Sequence, residues 1–197
     1  DLLAQNIMDL NLDTTRLRLT PLSPEDVDLA LEMFTDPDVI RFVGYLMTED
    51  DIRANIPDEI KRGADGWIGI WCVSLRKTGE KLGSIFLLPM PIEDEDTDYS
   101  LVVPGQIPDA EIEIGYAFKK TAWGSGFATE ACQRLVAFAF EETPLTRILA
   151  SFYEENEPSK AVLRKTGFAD IGEMFCYGEM SPVYELTRAA WNSARSS

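Results

Sequence analysis

The chain has 197 residues, a length that fits one domain with a substantial buried core. Eighteen basic and 34 acidic residues give a formal net charge of -16 at pH 7. This charge argues against nucleic acid and an anionic membrane surface as partners, and it favours a cationic partner. The chain has no histidine, and its three cysteines lack metal-ligand spacing. A metal site and a histidine-dependent nucleophile are therefore excluded.

Cysteine use and hydropathy predict the cellular location. Three scattered cysteines are typical of reduced, buried thiols in a cytoplasmic protein. Residues 1–13 lack the positive charge and cleavage pattern of a signal peptide, and no apolar stretch reaches membrane-spanning length. We therefore expect a cytoplasmic protein. The sequence leaves its oligomeric state open.

The first half of the chain predicts alternating strands and helices. Leucines alternate with polar residues over 15–22, which is typical of a strand with one buried face. Ser23 and Thr48 each precede acidic residues, as helix caps do. We predict a strand over 15–22, helices over 23–34 and 48–62, and a hairpin of strands over 67–76 and 81–88.

Residues 89–110, the acidic segment, combine four prolines with five acids at positions 93–98. This composition predicts an inserted loop with a short strand over 99–103. On composition we favour a solvated connector, and the alternative is an acidic rim that attracts or orients a cationic substrate.

A strand over 111–119 leads into a glycine-containing turn, Trp123-Gly124-Ser125-Gly126-Phe127, which opens a helix ending near 141. Glycines leave the inside of such a turn free of Cβ atoms. A helix N-terminus has unpaired amides and partial positive charge, so the turn favours phosphate binding. An ordinary turn is the alternative. Both nucleotide motifs are weak here, because Phe127-Ala128 replaces the Walker lysine and a third glycine is missing.

The last part of the chain predicts two more strands and two helices. They are a strand over 145–153, a helix over 157–166 ended by Gly167, a strand from Tyr177 or Met180 to Leu186, and a helix over 188–194. The order of these elements, with strands first, helices later and two strand–helix crossovers, predicts a mixed α/β sheet.

Several strings of the sequence resemble, in order and spacing, the GNAT superfamily of N-acetyltransferases, and its Rim-type branch in particular. They are residues 15–22, 111–119, 123–131, 156–159 and 165–168, and the resemblance spans residues 13–191. It implies a single acetyltransferase domain over 1–197, with 1–13 as an N-terminal extension. It also implies a mixed, mostly antiparallel sheet of six to seven strands flanked by helices, in which two neighbouring strands splay apart around acetyl-CoA.

The sequence departs from the family pattern at two positions. Thr121 stands where the pyrophosphate motif has Gln or Arg, which bears on affinity because backbone amides bind the phosphates. Leu163 stands where many members carry a proton-donating tyrosine, so that donor is excluded.

The resemblance implies which residues contact coenzyme A. Asn156 either caps its helix or binds the pantetheine arm, or does both, and the Phe118 amide polarises the thioester carbonyl. Nearby cations at 119–120, 160 and 164–165 are candidates to offset the negative charge of the protein. The expected contacts are Ala117, Phe118, Lys119, Trp123, Gly124, Ser125, Gly126, Phe127, Ala128, Thr129, Asn156 and Ser159.

The candidate catalytic residues are Glu111, Glu113 and Ser159. Because the chain lacks histidine, a carboxylate is the natural base for an amine, acting directly or through water. Glu111 and Glu113 are two residues apart, so they share one face of a strand, and their proximity would raise one pKa. We favour Glu113, although a solvent-facing pair is the alternative. Ser159 is a candidate proton donor to the leaving sulfur, or simply a polar residue of the helix.

These observations predict an acetyl-CoA-dependent N-acetyltransferase. The expected reaction is direct attack on the thioester by a primary amine, from a small molecule or a protein N-terminus. The alternative is a non-catalytic module that binds acyl-CoA and acts as a sensor.

Overall fold

The computed structural model describes residues 8–197, and its eight strands form one sheet. The strands are β1 (Leu12–Asp13), β2 (Leu17–Pro21), β3 (Gly69–Leu75), β4 (Lys81–Pro89), β5 (Ile112–Phe118), β6 (Arg147–Ser151), β7 (Ala169–Cys176) and β8 (Glu179–Thr187). Their order is β1-β2-β3-β4-β5-β6-β8-β7, antiparallel except where β5 meets β6. This confirms the mixed, mostly antiparallel α/β sheet, with more strands than the six to seven expected.

The helices begin where the sequence supplies caps. They are α1 (Val27–Phe34), α2 (Pro37–Ile40), α3 (Glu49–Glu59), α4 (Phe127–Glu142), α5 (Glu157–Thr166) and α6 (Arg188–Arg195). Thr48 and Asp51 form a capping box at the start of α3. Gly167 ends α5 with a φ of 107°, a left-handed conformation that glycine adopts without strain. Within residues 8–197, no helix is both long and apolar enough to cross a membrane.

The helices pack on both faces of the sheet. On one face, Leu135 and Phe138 of α4 join the main core, where Phe138 meets Trp71 edge to face with ring centroids 6.0 Å apart. On the other face, Leu29 and Met33 of α1 pack against Cys72. Fully burying a large apolar side chain contributes about 1.5–3 kcal/mol. These contacts fix the central strands that carry the candidate site.

The parallel strands β5 and β6 separate after a single register pair. That pair is Glu113 with Leu149, and β5 continues for five more residues to Phe118. On its other side β5 pairs with β4 as far as Phe118. The edge of β5 that faces β6 is therefore open over residues 114–118, which we call the open edge. It agrees with the splayed pair that the family resemblance implies.

Three local predictions were wrong or incomplete. Residues Tyr99–Leu101 form a short 3₁₀ turn instead of a strand, and Asp98 caps it by accepting from the Ser100 amide. Strand β7 was not predicted, because seven of its eight residues are not buried and show no apolar alternation. Leu12–Asp13, within the expected N-terminal extension, pairs with β2 as an edge strand.

Candidate active site

Glu113 is a buried carboxylate at the point where β5 and β6 separate. Its exposed fraction is only 2 %. The Tyr177 hydroxyl donates to its Oε1, and the Ser151 hydroxyl donates to its Oε2 over 3.4 Å. Burial raises the pKa of Glu113 to about 8, and the two hydroxyl bonds partly oppose this rise. This carboxylate therefore changes its charge near neutral pH, as a general base for an amine requires.

Glu111 has a different environment from Glu113. Its Oε1 lies 3.2 Å from Nη1 of Arg147, and Arg147 also lies 2.5 Å from Glu185 through its Nε. The two glutamates contact Arg147 and Ser151, which are four residues apart and share one face of β6, and this agrees with the predicted common face. The predicted cause of the raised pKa was wrong, however. Burial raises the pKa of Glu113, while Glu111 forms an ion pair on the surface.

Ser159 lies beside Tyr116, a tyrosine of β5. The Tyr116 hydroxyl on β5 is 2.9 Å from Ser159 Oγ at the start of α5. The Ser159 amide donates to Asn156 Oδ1 over 3.2 Å, so the cap of α5 fixes this serine. Burial raises the pKa of Tyr116 above its ordinary range, so its hydroxyl stays protonated. The cap that was predicted for Asn156 is confirmed.

The open edge of β5 presents backbone amides to the gap between β5 and β6. The Lys119 amide donates to the Leu82 carbonyl over 2.9 Å, on the β4 side. Because consecutive residues of a strand direct their backbone groups to opposite sides, the Phe118 and Tyr116 amides point into the gap. The Phe118 carbonyl accepts the indole N–H of Trp123 over 2.8 Å. The Phe118 amide thus has the direction that a carbonyl polariser needs.

The glycine loop, residues 123–128, connects β5 to α4. Gly124 and Gly126 both have φ of 79°, which only glycine adopts readily. The first intrahelical bond of α4 runs from the Glu130 amide to the Gly126 carbonyl over 3.1 Å. The amides of Phe127, Ala128 and Thr129 precede it and have no acceptor within the helix. These amides lie where the sequence predicts a phosphate cradle, and Trp123 in the same loop is half exposed.

Arg16 is the cation that lies at the glycine loop, and the sequence analysis missed it. Its Nη1 donates to the Ser125 carbonyl over 2.9 Å, and its Nε lies 3.1 Å from Glu130 Oε1. Its guanidinium carbon lies 4.4 Å from the centroid of the Phe127 ring. Arg16 is 109 residues from Ser125 in sequence. No local pattern therefore links them, although Arg16 belongs to the first string that resembles the family.

Four of the five cations expected near the cofactor form ion pairs or hydrogen bonds with other residues. Lys119 lies 3.1 Å from Glu80, on the β4 side of the strand. The others pair as follows: Lys120 with Asp38 at 2.5 Å, Lys160 with Glu154 at 2.9 Å and Glu157 at 3.0 Å, and Arg164 with the Tyr184 hydroxyl at 2.9 Å. These pairs already use most of the cations that sequence proximity suggested.

Part of the acidic segment lies against Glu113. Asp96 raises the pKa of Glu113 and of Glu59 on α3, in each case after the larger effect of burial. The pKa of Glu59 is raised to about 7, with Asp58 as a further cause. Burial and Asp96 also raise the pKa of Tyr99. Asp96 therefore acts electrostatically on both Glu113 and Glu59.

Comparison with known proteins identifies the family. The model of the acetyltransferase (GNAT) domain matches residues 16–169, so the chain belongs to this family. The protein is an acyltransferase that uses acetyl-CoA, as the sequence predicted. It is 26 % identical to the FsC-acetyl coenzyme A-N(2)-transacetylase of Aspergillus fumigatus, over 91 % of this chain and 77 % of that protein.

Solved structures share the fold at low sequence identity. RimL, the ribosomal L7/L12 alpha-N-protein acetyltransferase in complex with coenzyme A, has a TM-score of 0.67 and 14 % identity, covering 88 % of this chain and 95 % of its own. The aminoglycoside acetyltransferase AAC(6')-Ib in complex with coenzyme A has a TM-score of 0.70 and 17 % identity, covering 91 % and 99 %. Both structures are complexes with coenzyme A.

Proposed function

We propose that this protein acetylates the primary amine of a cationic acceptor, a small amine or a protein N-terminus, with Glu113 as the general base. The observation that carries this proposal is the buried carboxylate with a pKa of about 8 at the point where β5 and β6 separate. A free alkylamine has a pKa of about 10 and must lose a proton to react. In a chain without histidine, this carboxylate suits that task.

The residues present fit acetyl-CoA at the glycine loop and the open edge. A Cβ placed on Gly124 would meet no protein atom within 4 Å, so the loop has free space where a ligand would lie. The amides of Phe127, Ala128 and Thr129 would hold the pyrophosphate, and Arg16 adds a positive charge beside them. The amides of the open edge would bind the pantetheine arm as a neighbouring strand would.

Acetyl transfer needs a base for the amine, a hydrogen-bond donor for the developing oxyanion and a donor for the departing sulfur. Acetyl-CoA supplies a thioester; the amine nitrogen bonds to its carbonyl carbon, and the carbon–sulfur bond breaks. Because Glu113 is almost fully buried, we propose that it takes the amine proton through a bridging water. The Phe118 amide stabilises the developing oxyanion. The Ser159 hydroxyl, hydrogen-bonded to Tyr116, keeps its proton and donates a hydrogen bond to the departing thiolate, which takes its proton from solvent.

The acceptor class follows from charge. Asp96 acts electrostatically on both Glu59 and Glu113, and the whole chain carries a net charge of -16. This arrangement favours an acceptor with more than one positive charge. Aminoglycosides, the substrate class of the structural neighbour AAC(6')-Ib, fit this description, and a protein N-terminus would fit it where basic residues follow.

The first test is thiol release from acetyl-CoA with a panel of acceptors. The panel contains polyamines, aminoglycosides, amino acids and peptides with basic or acidic N-termini, each with a no-acceptor control. We expect acceptor-dependent release that is faster with cationic members than with acidic ones. Release that is equal with and without every acceptor, while calorimetry shows acetyl-CoA binding, would contradict the proposal.

A further inference from the structure

The turn between β7 and β8 holds a tyrosine in an unusual conformation. The two strands are joined by Tyr177 and Gly178, whose φ angles are 53° and 79°. Two-residue hairpins with positive φ at both positions favour Asn-Gly, because few other side chains tolerate this geometry. A tyrosine at the first position is costly. Such a residue persists only when its surroundings hold it there, and it often marks a functional site.

The contacts of Tyr177 show what holds it. Its amide donates to the Pro91 carbonyl over 3.0 Å, at the start of the acidic segment. A Cβ placed on Gly178 would lie 3.1 Å from Cγ of Glu95, so the same segment also packs against the second turn residue. The hydroxyl of Tyr177 donates to Oε1 of Glu113, which is 64 residues away in sequence. The turn therefore directs a phenol at the candidate base.

Two hydroxyl groups stabilise the ionised form of Glu113. Tyr177 and Cys176 face it from the β7–β8 hairpin, Ser151 from β6, and Asp96 from the acidic segment. In the part of the chain that the structure describes, no cation is among the groups that shift its pKa. Asp96 and burial disfavour the ionised form, and only the two hydroxyl donors favour it. The Ser151 contact, at 3.4 Å, is long for a hydrogen bond between oxygen atoms.

We propose that Tyr177 is a positioning residue for Glu113, and that the left-handed Tyr177–Gly178 turn serves to place its hydroxyl on that carboxylate. This inference rests on the proposed function only in so far as it calls Glu113 the base. Tyr177 stabilises the ionised carboxylate and fixes its orientation. Burial raises the pKa of Tyr177 above its ordinary range, so the phenol remains a donor throughout the working pH range.

The inference predicts a shift in the titration of Glu113. Phenylalanine at position 177 keeps the ring but removes the donor, so the ionised carboxylate loses its main support. The pKa of Glu113 should then rise by about one unit in Tyr177→Phe, since a hydrogen bond to a charged group is worth about that much. The acidic limb of kcat/KM against pH should move upward by the same amount.

The test is a carbon-13 titration of glutamate carboxyl groups, which reports on Glu113 whether or not an acceptor is known. The Glu113 signal is assigned by its loss in Glu113→Gln. Tyr116→Phe is the matched control, because it removes a phenol that contacts Ser159 instead of Glu113. We expect an upward shift of about one unit in Tyr177→Phe and none in Tyr116→Phe.

A second variant keeps the test decisive if Tyr177→Phe does not fold. Site-specific 3,5-difluorotyrosine at position 177 keeps the shape of the side chain and makes the hydroxyl a stronger donor, so it should lower the pKa of Glu113. An unchanged titration of Glu113 in both position-177 variants would overturn the inference. If the wild-type protein released no thiol with any acceptor, the proposed function would fail. The Glu113 titration would still decide the role of Tyr177.

Discussion

Glu113, the proposed base, shows how burial changes the titration of a carboxylate. Its pKa is about 8 in the folded protein, against an ordinary value of 4.5. Between these two values the unfolded chain loses this proton while the folded protein keeps it. The free energy of unfolding therefore decreases as the pH rises through that window. Glu113 costs the protein stability at the alkaline pH where it is most useful as a base.

Replacing Glu113 with glutamine should therefore separate activity from stability. Glu113→Gln removes the base and should lower kcat by roughly 10²- to 10⁴-fold, with little change in the Kd for acetyl-CoA. Residue 113 no longer titrates in the variant. The difference in unfolding free energy between variant and wild type should therefore be on the order of 3 kcal/mol more in favour of the variant at pH 9 than at pH 5.

Initial rates and urea unfolding at the two pH values measure these effects. Glu111→Gln is the matched control, since it removes a carboxylate of the same strand region that pairs with Arg147 on the surface. It should change kcat less than threefold. Wild-type rates in Glu113→Gln would remove Glu113 as the base.

Ser159 and Tyr116 form a second pair whose coupling can be measured. If Tyr116 acts through Ser159, Tyr116→Phe should slow the wild-type enzyme several-fold but have little further effect in Ser159→Ala. The physical reason is that the hydroxyl bond of 2.9 Å exists only when both groups are present. A double-mutant cycle on kcat measures this. Equal slowing by Tyr116→Phe in both backgrounds would mean that the two residues act independently.

Sequence alone found one member of each hydrogen-bonded pair. Glu113 and Ser159 lie in recognisable strings, and the absence of histidine narrows the choice of base. Their partners Tyr177 and Tyr116 are 64 and 43 residues away, so only the folded sheet brings each pair together. Arg16 was missed for the same reason, since its contact with Ser125 joins the bend before β2 to the glycine loop.

At the scale of the element, the glycine loop makes a prediction with an internal control. Gly126 and Gly79 have φ of 79° and 76°, so alanine at either position incurs a similar strain of about 1–2 kcal/mol. Only Gly126 lies at the candidate cofactor site. Gly126→Ala should weaken acetyl-CoA binding at least tenfold, because the Cβ and the altered backbone disturb the cradle. Gly79→Ala should lower stability equally and leave binding unchanged.

Calorimetric titration with acetyl-CoA and thermal unfolding of both variants provide the data. Gly126→Val, with its branched Cβ, should abolish binding altogether. Tight binding by Gly126→Ala would place the cofactor elsewhere.

Elements with strong local signals were predictable, and those set by tertiary context were not. The cap residue Asn156 and the terminating Gly167 predicted the range of α5, and Thr48 predicted the start of α3. Strand β7 has mostly exposed residues, so it lacks the apolar alternation that marks a strand, and its pairing with β8 defines it. The separation of β5 from β6 is likewise a property of the sheet, which no single strand encodes.

For the whole molecule, the charge of -16 has opposite effects on the two substrates. It attracts a cationic acceptor over distances comparable to the Debye length, about 30 Å at 0.01 M salt and 8 Å at 0.15 M. It repels anionic acetyl-CoA, which local groups such as Arg16 must offset at the glycine loop. Salt should therefore act differently on the two binding steps.

Raising the ionic strength from 0.01 to 0.15 M should lower kcat/KM for an acceptor with several positive charges by roughly tenfold. An acceptor of the same amine type with a single charge should lose much less, because steering scales with the charge of the ligand. The paired measurement uses a polyamine and a monoamine at saturating acetyl-CoA, so that cofactor binding does not limit either rate. Parallel salt dependence for the two acceptors would show that the acidic surface does not select the substrate. A steeper dependence for the polyamine that weakens in Asp96→Asn would assign part of that selection to the acidic segment beside Glu113.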